Sequence, residues 1–280
     1  MPELPDVESF KTYFKENSLD KVIVDVQCSC KDLIRNINFK DLRHKLIGKS
    51  FRDAWRRGKF LICEIKDIPE KLIFHFGMTG DLHYVKQNTE EDRFARLVIK
   101  FENEYELRLL SIRKLAKIYL VKDPEEIKLI KEMGPEPLTI SKKDFSKILD
   151  EHQRKNIKAF LLNQRDIAGI GNVYSDEILF KAKINPHKNI ETVGLEQREK
   201  LYKSMKTVLR EAIDCNMYFD SSWLIVHRGR DMRCPRDENH KLKKEIIAGR
   251  SCYFCPVCQA NNPRRLLATA KGSCQKYENH

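Results

Sequence analysis

The sequence has no long apolar run, no secretory signal and no internal repeat or low-complexity segment. None of its apolar stretches approaches the roughly 18 residues that a membrane-spanning helix needs, so we expect no membrane partner. The opening segment MPELPDVESF is polar from its first residues, which predicts a cytoplasmic rather than an exported protein. These absences leave a globular protein that stays inside the cell as the expected class.

Negative charge is also scarce relative to positive charge. The sequence has 53 Lys and Arg against 41 Asp and Glu, which gives a net charge of +12. Such an excess favours a polyanionic partner over an acidic metabolite, although a solvated basic surface is the simpler alternative. At 280 residues the chain is long enough to form two domains.

The nine cysteines do not indicate disulfide bonds, because nothing marks the protein as secreted. Five are scattered, and the other four fall close together in the C-terminal part of the sequence. The clustered residues are Cys234, Cys252, Cys255 and Cys258. This distribution predicts a reduced intracellular protein with a metal site.

The first residues carry a candidate nucleophile. Methionine is readily removed when a small residue such as Pro2 follows, and a free N-terminal proline is a secondary amine. An α-amino group titrates near about 7.7–8.0, so part of the population is neutral and can form an imine with an aldehyde-level carbon. The simpler interpretation is that Pro2 only starts a helix, where its missing N–H costs nothing.

Hydrophobic periodicity divides the sequence into two parts. Residues 5–17 predict a helix, whose positive N-terminal end would favour the free amine of Pro2 and attract phosphate. Residues 21–121 are mostly strand-like and predict a two-sheet β-sandwich or a flattened barrel. After a Gly-Pro-Glu-Pro linker the period becomes helical. Candidate helices cover 142–150, 156–164, 172–182 and 195–214.

The most particular local signal is the turn AGIGN at 168–172, between two apolar helical segments. Its glycines allow a tight turn with positive φ, and Asn172 is expected to cap the next helix, where free N–H groups can hold a phosphate. We therefore predict a helix–two-turn–helix unit, with an ordinary helical hairpin as the alternative. Residues 232–260 predict a short cysteine-bearing hairpin, and residues 261–280 predict a frayed end.

Six motifs follow one another along the chain: PELPDVE, RRGKF, FHFGMTG, MGPEPL, AGIGN and the cysteine-rich segment. In this order they resemble the formamidopyrimidine-DNA glycosylase/endonuclease VIII family, over roughly residues 1–260. Members of this family excise oxidised bases from DNA and then cleave the strand. The resemblance implies an α+β multidomain fold, with an N-terminal β-sandwich flanked by helices, a helical helix–two-turn–helix domain and a zinc-finger β-hairpin.

The resemblance also implies an organisation and a partner. The expected boundaries are 1–135 for the catalytic sandwich domain, 136–225 for the helix–two-turn–helix domain, 226–262 for the finger and 263–280 for the tail. The implied partner is damaged double-stranded DNA. We expect a monomer that needs no small-molecule cofactor and that works in a prokaryote-like cytoplasm, near the nucleoid.

The resemblance implies the following role for each matching residue. Pro2 attacks C1′ of the damaged nucleotide, Glu3 handles the deoxyribose ring oxygen and protons, and Lys59 meets the phosphate beside the lesion. His75 and Asn172 also grip backbone phosphates. Without the resemblance, Lys59 would be a solvated surface lysine and His75 a core histidine between two strands.

Three residues are expected to fill the gap left by the extruded base, which offsets part of the cost of extrusion. Met78 is the first. The family carries two more on an Asp-Pro-Arg-Arg-Phe-Gly loop, whereas the aligned stretch here is SIRKLA. Arg113 keeps the arginine, but Leu115 stands where phenylalanine probes for lesions. This difference puts the search step and the opposite-base preference in question.

The finger departs from the family's pattern of two Cys-x2-Cys pairs. Three cysteines match this pattern: Cys234, Cys255 and Cys258. Asp237 occupies the second position, and His240 lies three residues beyond it. His240 would complete a set of four ligands for one structural zinc ion, while Asp237, Cys252 or no metal at all are the alternatives.

Arg250 falls where the family's finger arginine contacts phosphates on both sides of the extruded nucleotide. An exposed turn arginine is the alternative. The assignment depends on the alignment of the neighbouring Cys255.

The region after the last long helix bears on the substrate. Enzymes of the formamidopyrimidine type carry a long loop that folds over 8-oxoguanine, but residues 215–223 contain only CNMYFDSSW. The opening LPDVE nevertheless resembles the formamidopyrimidine branch rather than the endonuclease VIII branch. We therefore predict activity on ring-opened purines and oxidised pyrimidines, with weaker or altered handling of 8-oxoguanine.

The predicted function is base-excision repair by a DNA glycosylase that cuts the strand through β- and δ-elimination from a Pro2 imine. One alternative is a non-catalytic DNA-binding protein, and another is a structural module of ribosomal or topoisomerase type. The Pro2-Glu3 pair argues against both, because neither needs a free N-terminal imino group. A third alternative is an endonuclease VIII-like enzyme that acts mainly on oxidised pyrimidines or single strands.

Overall fold

The computed structural model describes residues 1–90, 92–229 and 232–260, which form two compact units. The first unit contains residues 1–137 together with 164–170 and 212–217. The second contains the remaining described residues. Because both units are discontinuous in sequence, the four predicted domain ranges stay a prediction. The predicted tail, 263–280, lies outside the described residues.

Eight antiparallel strands build the first unit. In chain order they are β1 (Ile23–Cys28), β2 (Phe51–Arg57), β3 (Phe60–Ile65), β4 (Lys71–His75), β5 (Gly80–Lys86), β6 (Ala95–Phe101), β7 (Tyr105–Ser111) and β8 (Lys117–Val121). One sheet has the order β1-β6-β7-β5 and the other the order β2-β3-β4-β8. A continuous apolar core contains side chains from both sheets, which confirms the predicted sandwich.

Strand β4 is buried on both faces. Leu72 and Phe74 belong to the core shared by the two sheets, whereas Ile73 belongs to a second cluster with Phe60 and Ile130. Alternate side chains of a strand point to opposite faces. The sheet β2-β3-β4-β8 therefore has an inner face in the sandwich and an outer face under the second cluster.

Three helices accompany the sheets of the first unit: α1 (Leu4–Ser18), α2 (Phe39–Leu46) and α3 (Lys128–Lys131). Helix α1 matches the predicted helix and buries Val7 and Phe14 in the main core. Helix α2 lies in a region that the sequence analysis interpreted as mostly strands, and this helix was not predicted. The side chain of Asn38 caps α2 by accepting from the backbone N–H of Asp41, and one buried leucine face attaches it to the core.

Four helices of the second unit fall within a few residues of their predicted positions. They are α4 (Lys142–Glu151), α5 (Ile157–Leu162), α6 (Asn172–Lys181) and α7 (Leu195–Asp214). Two short hairpins follow, as predicted for the cysteine-bearing segment. Strand β9 (Arg233–Cys234) pairs with β10 (Asp237–Lys241), and β11 (Lys243–Ile247) pairs with β12 (Arg250–Phe254). Among the described residues, no helix combines the length and apolarity that crossing a membrane requires.

Candidate functional site

The amino terminus is fixed by a close contact inside the first unit. Helix α1 begins at Leu4, whose backbone N–H donates to the carbonyl oxygen of Gly169 at 3.0 Å. Gly169 has φ of +77°, and a Cβ atom there would lie 2.8 Å from the Leu4 side chain. Only glycine permits this approach without strain. The AGIGN turn therefore holds the residue that directly follows Pro2 and Glu3.

Two carboxylates and a lysine surround the first turn of α1. Glu3 is 1% exposed, and its backbone N–H donates to the Asp6 carboxylate at 2.8 Å. Burial raises the pKa of Asp6, while the hydrogen bond from Glu3 and the charges of the amino terminus and Lys59 lower it. The half-buried Pro2 therefore directly precedes a residue whose backbone bonds to Asp6, and the charges of the amino terminus and Lys59 both act on that carboxyl. The sequence analysis did not single out Asp6, although it lies in the PELPDVE motif.

A network of ion pairs holds the RRGKF turn that carries Lys59. Arg56 pairs with Glu8 at 2.8 Å and with Glu136 at 2.6 Å, and the backbone N–H of Gly58 donates to Glu136 at 2.6 Å. Arg57 also donates to Glu136, at 3.1 Å. The two arginines of this motif are thus neutralised inside the protein, and Lys59 is the residue that the turn presents.

Gly58 gives the same turn its shape. It has φ of +53°, and a Cβ atom there would lie 2.4 Å from the sulfur of Met133. Met133 and Glu136 both belong to the MGPEPL motif. This motif therefore buttresses RRGKF, a function that the sequence analysis missed because it interpreted the segment only as a linker.

His75 is the last residue of strand β4, which belongs to the same sheet as the two strands that the RRGKF turn connects. Its ring lies 4.8 Å from that of Phe60, and its Nδ1 accepts from the backbone N–H of Gly77 at 3.3 Å. Burial, with the nearby charges of Lys117 and Lys59, lowers the pKa of His75 to about 4. At neutral pH the imidazole is uncharged, and because Nδ1 accepts a hydrogen bond, Nε2 carries the proton. His75 can thus offer one N–H donor without a charge.

The three predicted wedge residues lie together on two packed loops of the first unit. Met78 and Leu115 are 39% and 44% exposed, and the guanidinium of Arg113 contacts the Met78 sulfur at 3.2 Å. Gly77 has φ of +62°, and a Cβ atom there would lie 2.4 Å from the carbonyl oxygen of Leu115. Ile112 is 55% exposed beside Arg113, and the sequence analysis did not select it.

Asn172 does not cap α6, contrary to the sequence analysis. Gly171 is the N-cap, with extended backbone, and Asn172 is the first helical residue. A side chain at this position cannot fold back to the first free N–H groups. The Asn172 amide instead donates to the carbonyl oxygen of Ser251 at 2.8 Å, and its own Oδ1 is buried without a partner. Asn172 thereby joins α6 to strand β12, which begins at the exposed Arg250.

A buried carboxylate makes a second connection between α6 and β12. Asp176 is 1% exposed, and its carboxylate accepts from the fully buried Lys158, from the Cys252 thiol at 3.2 Å and from the backbone N–H of Tyr253 at 3.1 Å. The guanidinium of Arg228 adds a fourth contact at 3.2 Å. A buried charge is tolerated only when it is paired and hydrogen-bonded, so these partners hold Asp176 in one arrangement. No signal in the sequence identified this network.

Four potential metal ligands meet in the two hairpins. The ligand atoms of Cys234, His240, Cys255 and Cys258 all lie within 4.8 Å of one another. The sulfur of Cys258 is 3.7 Å from that of Cys234 and 3.7 Å from Nδ1 of His240. A tetrahedral zinc ion with Zn–S bonds of about 2.3 Å would separate its sulfur ligands by about 3.7 Å, so the spacing suits zinc.

The structure also distinguishes the candidate fourth ligands. Asp237 lies beside the cluster, where its Oδ2 is 3.3 Å from Nε2 of His240. A carboxylate in this position orients a ligating imidazole and raises its basicity. Cys252 is engaged with Asp176 and is not part of the cluster. The alternatives that placed Asp237 or Cys252 in the ligand set are therefore less consistent with the geometry than His240.

The region after α7 is short, as the sequence indicated. Nine residues separate the end of α7 at Asp214 from a 3-10 helix at Leu224–His227. Within the second unit, the Glu177 carboxylate accepts from the backbone N–H groups of Leu224 and Ile225 at 3.2 and 3.0 Å. Burial raises the pKa of Glu177 to about 7. The start of the 3-10 helix is thus tied to α6 rather than extended into a long loop.

Known proteins resemble this chain over nearly its whole length. The family descriptions "Formamidopyrimidine-DNA glycosylase N-terminal domain" and "Formamidopyrimidine-DNA glycosylase H2TH domain" match residues 1–118 and 133–220. The formamidopyrimidine-DNA glycosylase of Protochlamydia amoebophila is 33% identical over 281 residues, which cover 92% of this chain and 99% of that protein.

Two solved structures of the Lactococcus lactis enzyme have the same fold. The wild-type enzyme with DNA containing N7-benzyl-Fapy-dG has a TM-score of 0.81 at 30% identity, covering 92% of this chain and all of that one. The complex with DNA containing an abasic site has a TM-score of 0.81 at 29% identity, with 92% and 99% covered. By these matches, the chain belongs to the formamidopyrimidine-DNA glycosylase family.

Proposed function

We propose that this protein is a base-excision repair enzyme, a DNA glycosylase and abasic-site lyase that removes oxidised bases from double-stranded DNA. The contact between Leu4 and Gly169 carries the proposal, because it fixes the backbone directly after Pro2 and the buried Glu3, while Asp6 in the same turn lies within the electrostatic influence of Lys59. A DNA-binding protein without catalysis needs no such arrangement at its amino terminus. The relatives' activity and the DNA in their structures support the same assignment.

The mechanism requires removal of Met1, which leaves Pro2 with a secondary amine. The amine nitrogen attacks C1′ of the damaged nucleotide, and the base departs with the electron pair of the glycosidic bond and takes up a proton. Opening of the sugar ring then requires a proton on the ring oxygen, and Glu3 delivers this proton in the proposed mechanism. The product is an iminium ion between Pro2 and C1′.

Strand cleavage follows from the electron-withdrawing iminium. Removal of a C2′ proton by a base expels the 3′ phosphate in β-elimination, and loss of a further proton expels the 5′ phosphate in δ-elimination. Water then hydrolyses the imine and restores the free amine. Glu3 and Asp6 are the carboxylates next to Pro2 that can carry these protons, and the raised pKa of Asp6 suits such exchange.

The remaining site residues hold the DNA. Lys59 supplies a charge and His75 a neutral N–H donor for phosphates, while Asn172 and Arg250 in the second unit contribute further contacts. Met78, Arg113 and Leu115 fill the space of the extruded base. One structural zinc ion, held by Cys234, His240, Cys255 and Cys258, would stabilise the hairpins near Arg250.

The substrate class follows from the short segment after α7. This segment is too short to form a long loop over an intact purine ring system. We therefore propose ring-opened purines and oxidised pyrimidines as the preferred lesions, with weaker activity on 8-oxoguanine. The Lactococcus lactis enzyme is seen with Fapy-type DNA, which supports the ring-opened class. A monomer in a bacterial cytoplasm, without a small-molecule cofactor, completes the proposal, and the bacterial relatives support the setting.

Trapping with borohydride tests the proposal. Protein incubated with a duplex that carries one ring-opened purine should form a stable protein–DNA adduct on reduction, and peptide mass analysis should place the adduct on Pro2. Pro2→Leu, which retains the initiator methionine, should give no adduct at that position while still binding the duplex. Active protein that cannot be trapped, or full activity in Pro2→Leu, would exclude Pro2 as the nucleophile. Wild-type protein that binds the duplex but neither releases the base nor cuts the strand would leave only a DNA-binding protein.

A further inference from the structure

One row of side chains on the outer face of the sheet β2-β3-β4-β8 contains a lysine that the mechanism above does not use. Phe60 is the register partner of His75, and His75 is the register partner of Lys117. Residues directly opposite each other in antiparallel strands share a face and lie about 4.5–5.5 Å apart at Cβ. Since Phe74 and Ile118 belong to the inner core, His75 and Lys117 belong to the outer face.

The charge of Lys117 is close to His75 and is not compensated. Lys117 lowers the pKa of His75, second only to burial, and the charge of Lys59 acts in the same direction. Arg57, at the other end of this row, is paired with Glu136, but Lys117 forms no ion pair with any carboxylate among the described residues. The charges of two lysines therefore act on one neutral imidazole, and among the described residues Lys117 has no carboxylate partner.

The position of Lys117 in the chain adds a reason for this arrangement. Lys117 begins β8 two residues after Leu115, so it terminates the loop that carries Arg113 and Leu115. Lys59 lies directly before β3, which belongs to the same sheet as β8. A phosphate bound by Lys117 would hold the base of this loop on the DNA backbone while the loop tip faces the bases.

We propose that Lys117 is a further phosphate-binding residue. Together with Lys59, beside β3, and His75, on β4, it contacts the phosphate backbone of one strand of the DNA. This inference rests on the proposed function, since it requires DNA as the partner. Lys117 binds and positions the strand and takes no part in proton transfer. Its ammonium ion adds the charge that the neutral His75 lacks.

The salt dependence of binding tests this role. Affinity for a duplex with a tetrahydrofuran site, which cannot form the imine, should be measured for wild type, Lys117→Ala and Lys117→Arg across sodium chloride concentrations. Each phosphate contact contributes about 0.9 to the slope of log K against log salt. The slope for Lys117→Ala should therefore be smaller than that of the wild type by about 0.9. Between about 50 and 200 mM salt, the affinity of this variant should fall about 3.5-fold less than that of the wild type. Lys117→Arg should keep the slope.

Lys122→Ala is the matched control, because it removes the same charge just past the other end of β8, where the side chain is exposed. It should leave the slope unchanged. A second readout is the NMR titration of the His75 imidazole, whose pKa should rise from about 4 in Lys117→Ala because a neighbouring positive charge has gone.

Equal slopes for wild type, Lys117→Ala and Lys122→Ala would overturn the role of Lys117. An unchanged His75 pKa in Lys117→Ala would do the same, because it would place the ammonium ion away from the imidazole. Wild-type protein with no affinity for the duplex would overturn the proposed function and this role with it. The His75 titration separates that result from a misplaced lysine, because it needs no DNA.

Discussion

The two units hold their functional residues by different physical means. In the first unit, backbone contacts at glycines with positive φ and largely buried ion pairs fix the amino terminus and the RRGKF turn. In the second unit, a fully buried carboxylate, Asp176, connects α6 to the strand that carries Arg250. The first arrangement depends on the absence of side-chain atoms, and the second on complete pairing of a buried charge. The two should therefore respond to different kinds of substitution.

The largest effect is expected from Glu3, in the first unit. Glu3→Gln keeps the size of the side chain but removes its capacity to exchange a proton, so the rate of base excision should fall by about 10²- to 10⁴-fold. Single-turnover release of a ring-opened purine from duplex DNA measures it. Glu16→Gln, at an exposed position on the same helix, is the control and should leave the rate unchanged. A loss below about tenfold would contradict the role of Glu3 in proton transfer.

Breaking the buried pair of the second unit should affect stability most. Asp176→Ala leaves Lys158 buried without its counter-ion, and removing one partner of such a pair costs about 3–5 kcal/mol of unfolding free energy. Urea denaturation measures this cost. A paired replacement, Lys158→Met with Asp176→Leu, removes both charges of this pair and should recover part of the loss, because Arg228 and the backbone N–H of Tyr253 still lose their acceptor. Equal destabilisation in the single and the double variant would show that packing, rather than the charge, is what matters at Asp176.

The zinc content of variants tests which residues of the second unit bind the metal. His240→Ala should lower zinc content well below one ion per chain, because a structural zinc site needs four protein ligands. Asp237→Ala, which removes only the carboxylate beside His240, should keep zinc but weaken its affinity by about 10- to 100-fold. Metal analysis of purified protein and competition with a chelator measure both. Full zinc content in His240→Ala would reject the proposed set.

The glycine contact of the first unit can be broken with one methyl group. Gly169→Ala places a Cβ atom 2.8 Å from Leu4 at a φ of +77°, and backbone strain of this kind costs about 1–3 kcal/mol. The lyase rate on an abasic site should fall as well, because the strain is relieved by moving Leu4 and with it Pro2. Gly194→Ala is the control, since no atom lies within 4 Å of its Cβ position. Unchanged lyase activity in a folded Gly169→Ala protein would show that the contact between Leu4 and Gly169 is not required for catalysis.

The smallest expected effect is a pH dependence from His75. Its folded pKa of about 4 lies below the ordinary value of 6.5, so the unfolded chain binds the proton more readily. Stability from this group is therefore complete above about pH 6.5 and is lost as pH falls toward 4. His75→Gln should give a shallower loss of unfolding free energy over this interval, measured by urea denaturation at several pH values. The same slope in wild type and variant would show that His75 titrates normally.

Much of the fold was predictable because it depends on local pattern. The helix at the amino terminus and the four helices of the second unit lie within a few residues of their predicted ranges, and all eight strands of the sandwich lie within the region that was interpreted as mostly strands. Helix α2 was missed because its eight residues have few apolar side chains. Short elements of this kind are stabilised by their neighbours more than by their own sequence.

The candidate site was predictable only in part. Residue types with distinctive chemistry, such as Pro2, Glu3 and the cysteines, are visible in the sequence itself. Asn172 was expected as a helix cap, but its side chain bonds to a strand that lies far away in sequence. Partners such as Glu136 for Arg56 are invisible in sequence for the same reason.

The sequence by itself determined the amine at position 2, the glycines that permit close turns, and three cysteines in a zinc-finger pattern together with the alternatives for the fourth ligand. These properties belong to single residues or to neighbours along the chain. Only the tertiary structure decided that His240 joins the cysteines, that Asp176 is the buried link to the Arg250 strand, and that Lys117 stands uncompensated beside His75. Which charges meet depends on chain folding that brings distant residues within a few ångströms, and local pattern does not specify those distances.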